Sequence, residues 1–276
     1  MAPRHIAVHT DNYQHTTNMF TVEGYTNYVL LSYADIIYFN GGDQSRHMRC
    51  WFNNDGQPNP LFSVVRRRVL NNEVILVGVS AGTAVQSRIS YGGGSPFGIL
   101  YFTNSVGLAP NNLADGHGLD DVRNGTDCLQ YSENGARIAG FGFVDFQIDT
   151  HFDRRGRLGR LVPVLSQLNA TLGVGIDEYA CLYYKDGEGT VFGRNGVFIA
   201  DTSSSLKVKS NYFHLKNVKV HYLTAGDSFN FYTKRMTTPK PPISVPSLSG
   251  FSDSNNILSP YECTRLLTRL VDQRGS

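Results

Sequence analysis

This chain of 276 residues is short of the features that most quickly classify a protein. Its four cysteines, Cys50, Cys128, Cys181 and Cys263, lie far apart with no C-x-x-C pair. That spacing argues against a zinc knuckle or a dithiol redox motif and for buried free thiols. No apolar run approaches the roughly 20 residues that cross a bilayer, and Met1-Ala2-Pro3-Arg4-His5 opens without the apolar segment of a secretion signal. The formal charge is only +2, from 25 Lys and Arg against 23 Asp and Glu, which points away from nucleic-acid and anionic-membrane partners. No internal repeat is visible. With 41% hydrophobic residues the chain has ample material for a folded core. It reads as cytoplasmic, or as secreted if an upstream signal segment precedes it; the sequons Asn124-Gly125-Thr126 and Asn169-Ala170-Thr171 matter only in the second case.

The most informative stretch is Val74-Ile75-Leu76-Val77-Gly78-Val79-Ser80-Ala81-Gly82-Thr83-Ala84-Val85. It reads as a buried strand, a sharp turn and a helix start, with Ser80 at the apex, which is the layout of a nucleophile elbow. Small residues also occur wherever a helix packs closely on a sheet, so the pattern needs a base and an orienting acid elsewhere. Upstream, the segment from Tyr33 reads as a strand ending at Gly41-Gly42, followed by a helix from Asp43-Gln44 to about Phe52 and another over Leu61–Leu70. Strand, helix, strand, helix implies a parallel sheet covered on both faces, with ligands beyond the carboxyl ends of the strands, where Gly41 to Gln44 and Ser80 both fall.

From Ser90 to about Arg137 glycines and prolines interrupt any periodicity, and the segment reads as a long loop or insertion. Structure resumes with a strand over Gly140–Asp149, a helix over Leu158–Leu168 and a strand over Thr171–Ile176. Short alternating strands then follow Glu178 as β-rich additions. Residues 1–235 therefore read as one α/β domain, and 236–276 as an irregular Pro/Ser-rich arm with a short terminal helix over Tyr261 to about Asp272.

A serine hydrolase needs a histidine to take the hydroxyl proton and a carboxylate to fix its tautomer. Among eight histidines, His151 stands at a strand end before Asp153-Arg154-Arg155-Gly156-Arg157-Leu158-Gly159-Arg160. The plain alternative is a surface histidine ahead of a basic helix. Asp177 and Glu178 close an apolar strand on opposite faces, so one of them can face the site, and spacing does not choose between them. A carboxylate there can also simply satisfy turn N–H groups. His5 and His9 make a weak metal pair in a segment that reads as strand, and no metal or organic cofactor is expected.

Taken in order, Phe39-Asn40-Gly41-Gly42-Asp43-Gln44, Gly78-Val79-Ser80-Ala81-Gly82, the run from Asp149 to Arg160 and Gly175-Ile176-Asp177-Glu178 resemble the cyanophycinases. These belong to the serine peptidase family that also holds aspartyl dipeptidases, and the resemblance runs from about Ile6 to Lys234. It implies a three-layer α/β sandwich around a mainly parallel sheet, like that of class I glutamine amidotransferases. It also implies Ser80 as nucleophile, His151 as general base and Glu178 as third triad member. The backbone N–H groups of Ala81 and of Gly42 or its neighbour match the oxyanion hole. Gln44, Asp149, Arg155, Arg157 and Arg160 match positions that line the substrate pocket, where arginine forks suit carboxylates and Asp149 suits an ammonium or guanidinium group.

The implied reaction is hydrolysis of aspartate-containing peptide or β-aspartyl isopeptide bonds, with β-Asp-Arg as a product. The implied partners are a peptide or polymer bearing aspartate carboxylates and a second copy in a homodimer. The alternatives are an aspartyl dipeptidase and a catalytically silent binding protein of the same fold. Two departures stand out. Thr150 replaces a common glutamine, and the glycine-rich strand and helix that usually open the family are not seen before Ile6-Ala7-Val8.

Overall fold

A computed structural model describes residues 3–53, 57–88, 90, 140–168, 170–207 and 214–238. Apart from their first residues, the insertion at 90–137 and the arm and terminal helix at 236–276 lie outside the described residues. The fold is mixed α/β and falls into two compact units, whose described residues divide between Ile148 and Asp149.

The first unit contains α1 (Tyr13–Thr16), α2 (Val22–Tyr33), β1 (Ile36–Phe39), α3 (Gln44–Trp51), α4 (Pro60–Leu70), β2 (Ile75–Gly78) and α5 (Ala81–Ala84). Helix starts are set by capping side chains. Thr21 Oγ1 accepts from the Gly24 N–H at 2.9 Å to begin α2. Asn59 Oδ1 accepts from the Phe62 N–H at 3.0 Å to begin α4, with Pro60 in the first turn, where its missing N–H costs nothing.

β1 and β2 run parallel in register from Ile36 opposite Ile75 to Phe39 opposite Gly78. Ile37 and Phe39 point into an aromatic core with Trp51, Phe52, Phe62 and Phe141. Ring centroids there lie 4.5 Å apart for Phe62 and Phe141 and 5.0 Å apart for Phe39 and Phe141. Such spacing adds edge and offset-stacked attraction to the burial term. The alternate residues do not have this cover. Ile36, Tyr38 and Ile75 are 59%, 60% and 56% exposed, so the expectation of a sheet covered on both faces is corrected for this strand pair among the described residues.

The second unit holds the end of β3 (Gln147–Thr150), α6 (Leu158–Leu168), β4 (Leu172–Ile176), β5 (Ala180–Lys185), β6 (Glu188–Gly193), β7 (Val197–Asp201), β8 (Leu206–Lys207), β9 (Leu215–Lys216), β10 (Lys219–Leu223), β11 (Ser228–Asn230) and β12 (Arg235–Met236). One sheet has the order β10-β7-β4-β3, and β7 is antiparallel to both β4 and β10. The expected mainly parallel sheet is therefore corrected here: after Glu178 the chain returns through a hairpin of short connections, which imposes antiparallel pairing.

Every residue of β4 and β7 is buried, as expected of strands covered on both faces. A second sheet has the order β12-β11-β6-β5. Its β5–β6 hairpin turns on Asp186-Gly187, both at positive φ (50° and 84°), the backbone that a two-residue hairpin loop requires.

Candidate active site

In the first unit backbone conformation sets the place of the candidate nucleophile. Ser80 sits between β2 and α5 at φ 52°, ψ −114°, a region that disfavours any side chain. Gly78 and Gly82 make the turn possible. A Cβ on Gly78 would lie 2.3 Å from the Gly82 carbonyl oxygen, and one on Gly82 would lie 2.3 Å from the Phe39 carbonyl oxygen. Those approaches bring the end of β1 over the elbow: a Cβ on Gly41 would meet Ser80 Cβ at 3.3 Å, and the Val79 N–H donates to the Phe39 carbonyl at 3.1 Å. The loops carrying Gly41 and Ser80 thus meet, and Gly42 takes φ 140°, which glycine tolerates and other residues rarely adopt. Ala81 opens α5 in its first turn, where backbone N–H groups have no intrahelical acceptor, and Gln44 opens α3.

Sequence reasoning passed over His47, whose Nε2 lies 3.1 Å from the Asn40 carbonyl oxygen while its ring packs edge-on against Phe39 and Phe141. In the tautomer carrying Nε2–H it donates to Asn40 and fixes the backbone next to Gly41 and Gly42. Burial pushes its pKa below the ordinary histidine value, although the Asn40 carbonyl and Asp43 act the other way. Its sequence signal was only a histidine one helical turn into α3.

In the second unit the candidate base and acid are positioned by side chains. His151, at φ 49°, is held by a tight turn in which the Phe152 N–H donates to the Ile176 carbonyl at 3.3 Å and the Arg157 N–H donates to the Phe152 carbonyl at 2.9 Å. Phe152 is fully buried against β4, and a Cβ on Gly175 would lie 2.3 Å from its ring. His151 Nδ1 lies 3.0 Å from Glu178 Oε1, so the Nδ1–H donates to the carboxylate and Nε2 is left as the basic nitrogen.

The adjacent carboxylate does other work. Asp177 accepts from the Arg154 N–H at 3.2 Å and from Asn195 Nδ2 at 3.3 Å, while Asn195 Nδ2 also donates to the Glu178 carbonyl at 2.7 Å. Asn195, which had no sequence signal, thereby holds the turn that presents Glu178.

Asp149 is 0% exposed and saturated. Its carboxylate accepts from the Thr150 N–H at 2.9 Å, from Arg157 Nη1 at 3.0 Å, and from Arg160 Nε at 2.6 Å and Nη2 at 2.5 Å. Arg157 Nη1 also donates to the Thr150 carbonyl at 2.6 Å. The carboxylate is thus engaged within the fold and closed to solvent. Arg155 is exposed. Among the described residues no group of three or more His, Cys, Asp and Glu is placed to hold a metal ion, and no helix is long and apolar enough to cross a membrane.

No family model matches the chain. Curated relatives do. A cyanophycinase of Geminocystis herdmanii is 31% identical over 202 residues, which is 70% of this chain and 61% of that protein. One of Synechococcus elongatus is 29% identical over 215 residues (75% and 56%), and one of Trichormus variabilis is 27% identical over 207 residues (72% and 57%). A solved structure described as a peptidase from an acI-B1 Actinobacterium aligns over 75% of this chain and 63% of that one at 18% identity, with a TM-score of 0.43. This homology places the chain with the cyanophycinase-like peptidase family. It spans 56% to 61% of the length of these three relatives.

Proposed function

We propose that the chain is a serine-type peptidase that hydrolyses aspartate-containing peptide or β-aspartyl isopeptide bonds, with a fold related to the three-layer sandwich of class I glutamine amidotransferases. The observation that carries this reading is the Ser80 backbone. A serine held at φ 52° and ψ −114° between a strand and a helix is costly, by about 1–3 kcal/mol, and such strain collects at functional positions. In the proposed cycle His151 Nε2 takes the Ser80 Oγ proton as Oγ attacks the scissile carbonyl carbon, and the developing oxyanion is met by the N–H groups of Ala81 and Gly42. The C–N bond then breaks, and the leaving amine takes the proton from His151 Nε2. A water, deprotonated by His151, hydrolyses the Ser80 ester and returns the proton to Oγ. Glu178 holds the tautomer and stabilises the imidazolium.

Arg155, exposed at the turn between His151 and α6, supports a substrate that presents a carboxylate. The test is incubation of the purified chain and its Ser80→Ala variant with β-Asp-Arg polymer and aspartyl dipeptides, read by mass spectrometry. Ser80-dependent release of β-Asp-Arg supports the cyanophycinase reading, and release of free aspartate supports the dipeptidase one. Binding of these compounds without turnover, and without labelling by a fluorophosphonate, overturns both in favour of a silent binding protein.

A further inference from the structure

The second unit contains another polar depression, far from His151. It has a volume of about 480 Å³ and is lined by Asp201, Ser203, Lys219, His221, Thr233, Lys234, Arg235 and Met236. The strand register sets its place. In the β4–β7 pair Ile176 stands opposite Val197, next to the turn that carries Glu178, whereas Asp201 stands opposite Leu172 at the other end. Four strand residues separate the two levels, about 13 Å along the sheet.

Asp201 is buried at the floor of this depression, and Lys219 is its cross-strand partner on β10. His221 lies two residues further along the same face of β10, its ring 5.2 Å from that of buried Phe229. The turn before β12 adds Thr233 and Lys234, with Lys234 Nζ 3.7 Å from Asp201 Oδ1, and Arg235 follows. Three cations thus surround one carboxylate that is already occupied. Asp201 accepts from the Ser203 N–H at 2.8 Å; burial works against its ionisation, but Ser203, Lys234 and Lys219 together hold its pKa below the usual carboxylate range. Two positive charges are left over, and neither Lys219 nor Arg235 has an ion pair among the described residues.

His221 supplies an independent sign that something polar belongs here. Both of its ring nitrogens are buried and neither has a hydrogen-bond partner. Buried polar atoms of folded proteins nearly always have one, and leaving them unpaired is costly. Burial lowers the His221 pKa and Lys219 acts the same way, against the pull of Asp201, so the ring is neutral at pH 7 with one N–H to donate.

We propose that this depression is a binding site for a small doubly charged oxyanion, of the phosphate-monoester or dicarboxylate type, clasped by Lys219, Lys234 and Arg235, with the His221 ring turning to donate a hydrogen bond to it. It is separate from the peptidase reading and stands whether or not Ser80 is catalytic. The probes are inorganic phosphate, succinate and, as a singly charged control, acetate, titrated into the full chain while the His221 ring is followed by NMR and heat by calorimetry.

The site predicts saturable binding of phosphate or succinate, a shift of the His221 ring resonances, and acetate at least about tenfold weaker. Preference for phosphate assigns the phosphate-monoester class, and preference for succinate the dicarboxylate class. The exposed pair Lys219→Ala and Arg235→Ala weakens binding at least about tenfold and leaves the melting curve and any Ser80-dependent hydrolysis unchanged. Non-saturating shifts with both dianions overturn the proposal, as does saturable binding that the double variant leaves intact or a His221 ring that does not respond.

Discussion

The two units position their chemistry by different means. Around Ser80 the first unit uses backbone: a strained dihedral, glycines that allow carbonyl oxygens to come within reach, and N–H groups at a helix start. Around His151 the second unit uses side chains: a carboxylate on Nδ1, an asparagine under that carboxylate, and a saturated Asp149 beneath two arginines. The difference predicts different responses to substitution. A site set by backbone conformation should tolerate replacement of the side chain it presents, whereas a side-chain-built site unravels when one partner is removed.

The largest test of that contrast is Ser80→Ala. Turnover of β-aspartyl peptides should fall by about 10³-fold or more, while the urea midpoint of the protein stays where it was. A comparable loss of stability would break the comparison. Asp149→Asn is the opposite case: it removes the charge that satisfies two buried arginines and should cost about 3–5 kcal/mol in denaturant melts. Glu178→Gln should lower turnover by at least about 10²-fold with a modest change in stability, because Glu178 is half-exposed and acts through His151.

Ser80→Gly sharpens the backbone half. Glycine relieves the dihedral strain, so the inactive Gly variant should be more stable than the inactive Ala variant, by about 1 kcal/mol after the flexibility of the unfolded chain is counted.

The smallest effect concerns acid. His47 in the first unit and His221 in the second are both held below the ordinary histidine pKa, chiefly by burial. The unfolded chain therefore binds their protons first, so stability is full above about pH 6.5 and is lost as pH falls through the folded values. Denaturant melts between pH 7.5 and 5 should show that slope, reduced in a His221→Phe variant. Saturating the Lys219 pocket with phosphate should alter only the His221 part.

The same contrast explains what the sequence disclosed. Ser80 with its glycines, and Gly41-Gly42 after an apolar strand, are local patterns in which neighbours in sequence are neighbours in space. The helix read over Leu158–Leu168 likewise has its observed bounds, because its apolar period lies within one segment. Elements made by distant pairing were not legible. Nothing local shows that β7 inserts antiparallel beside β4, or that Asp149 folds onto arginines 8 and 11 residues later and closes to solvent. Burial and hydrogen bonding of Asp149 are properties of the folded chain, which spacing does not contain. α2 went unread because Val22, Tyr25, Val29 and Tyr33 stay exposed, so its apolar residues do not mark one buried face. The pocket around Asp201 draws on β7, β10 and the turn before β12, which no sequence window contains.

Asp149 has one more consequence, in how the chain tells its correct fold from near misses. All four residues of β3, Gln147 to Thr150, are buried, so alternation of apolar and polar residues cannot choose which side chain faces which way. A slip of one residue would leave the hydrophobic burial of that strand nearly unchanged. It would also turn Asp149 away from Arg157 and Arg160 and strand three charges in the interior, a penalty of several kcal/mol. The ion cluster thus works as a key for strand alignment, read by electrostatics where hydrophobicity is silent.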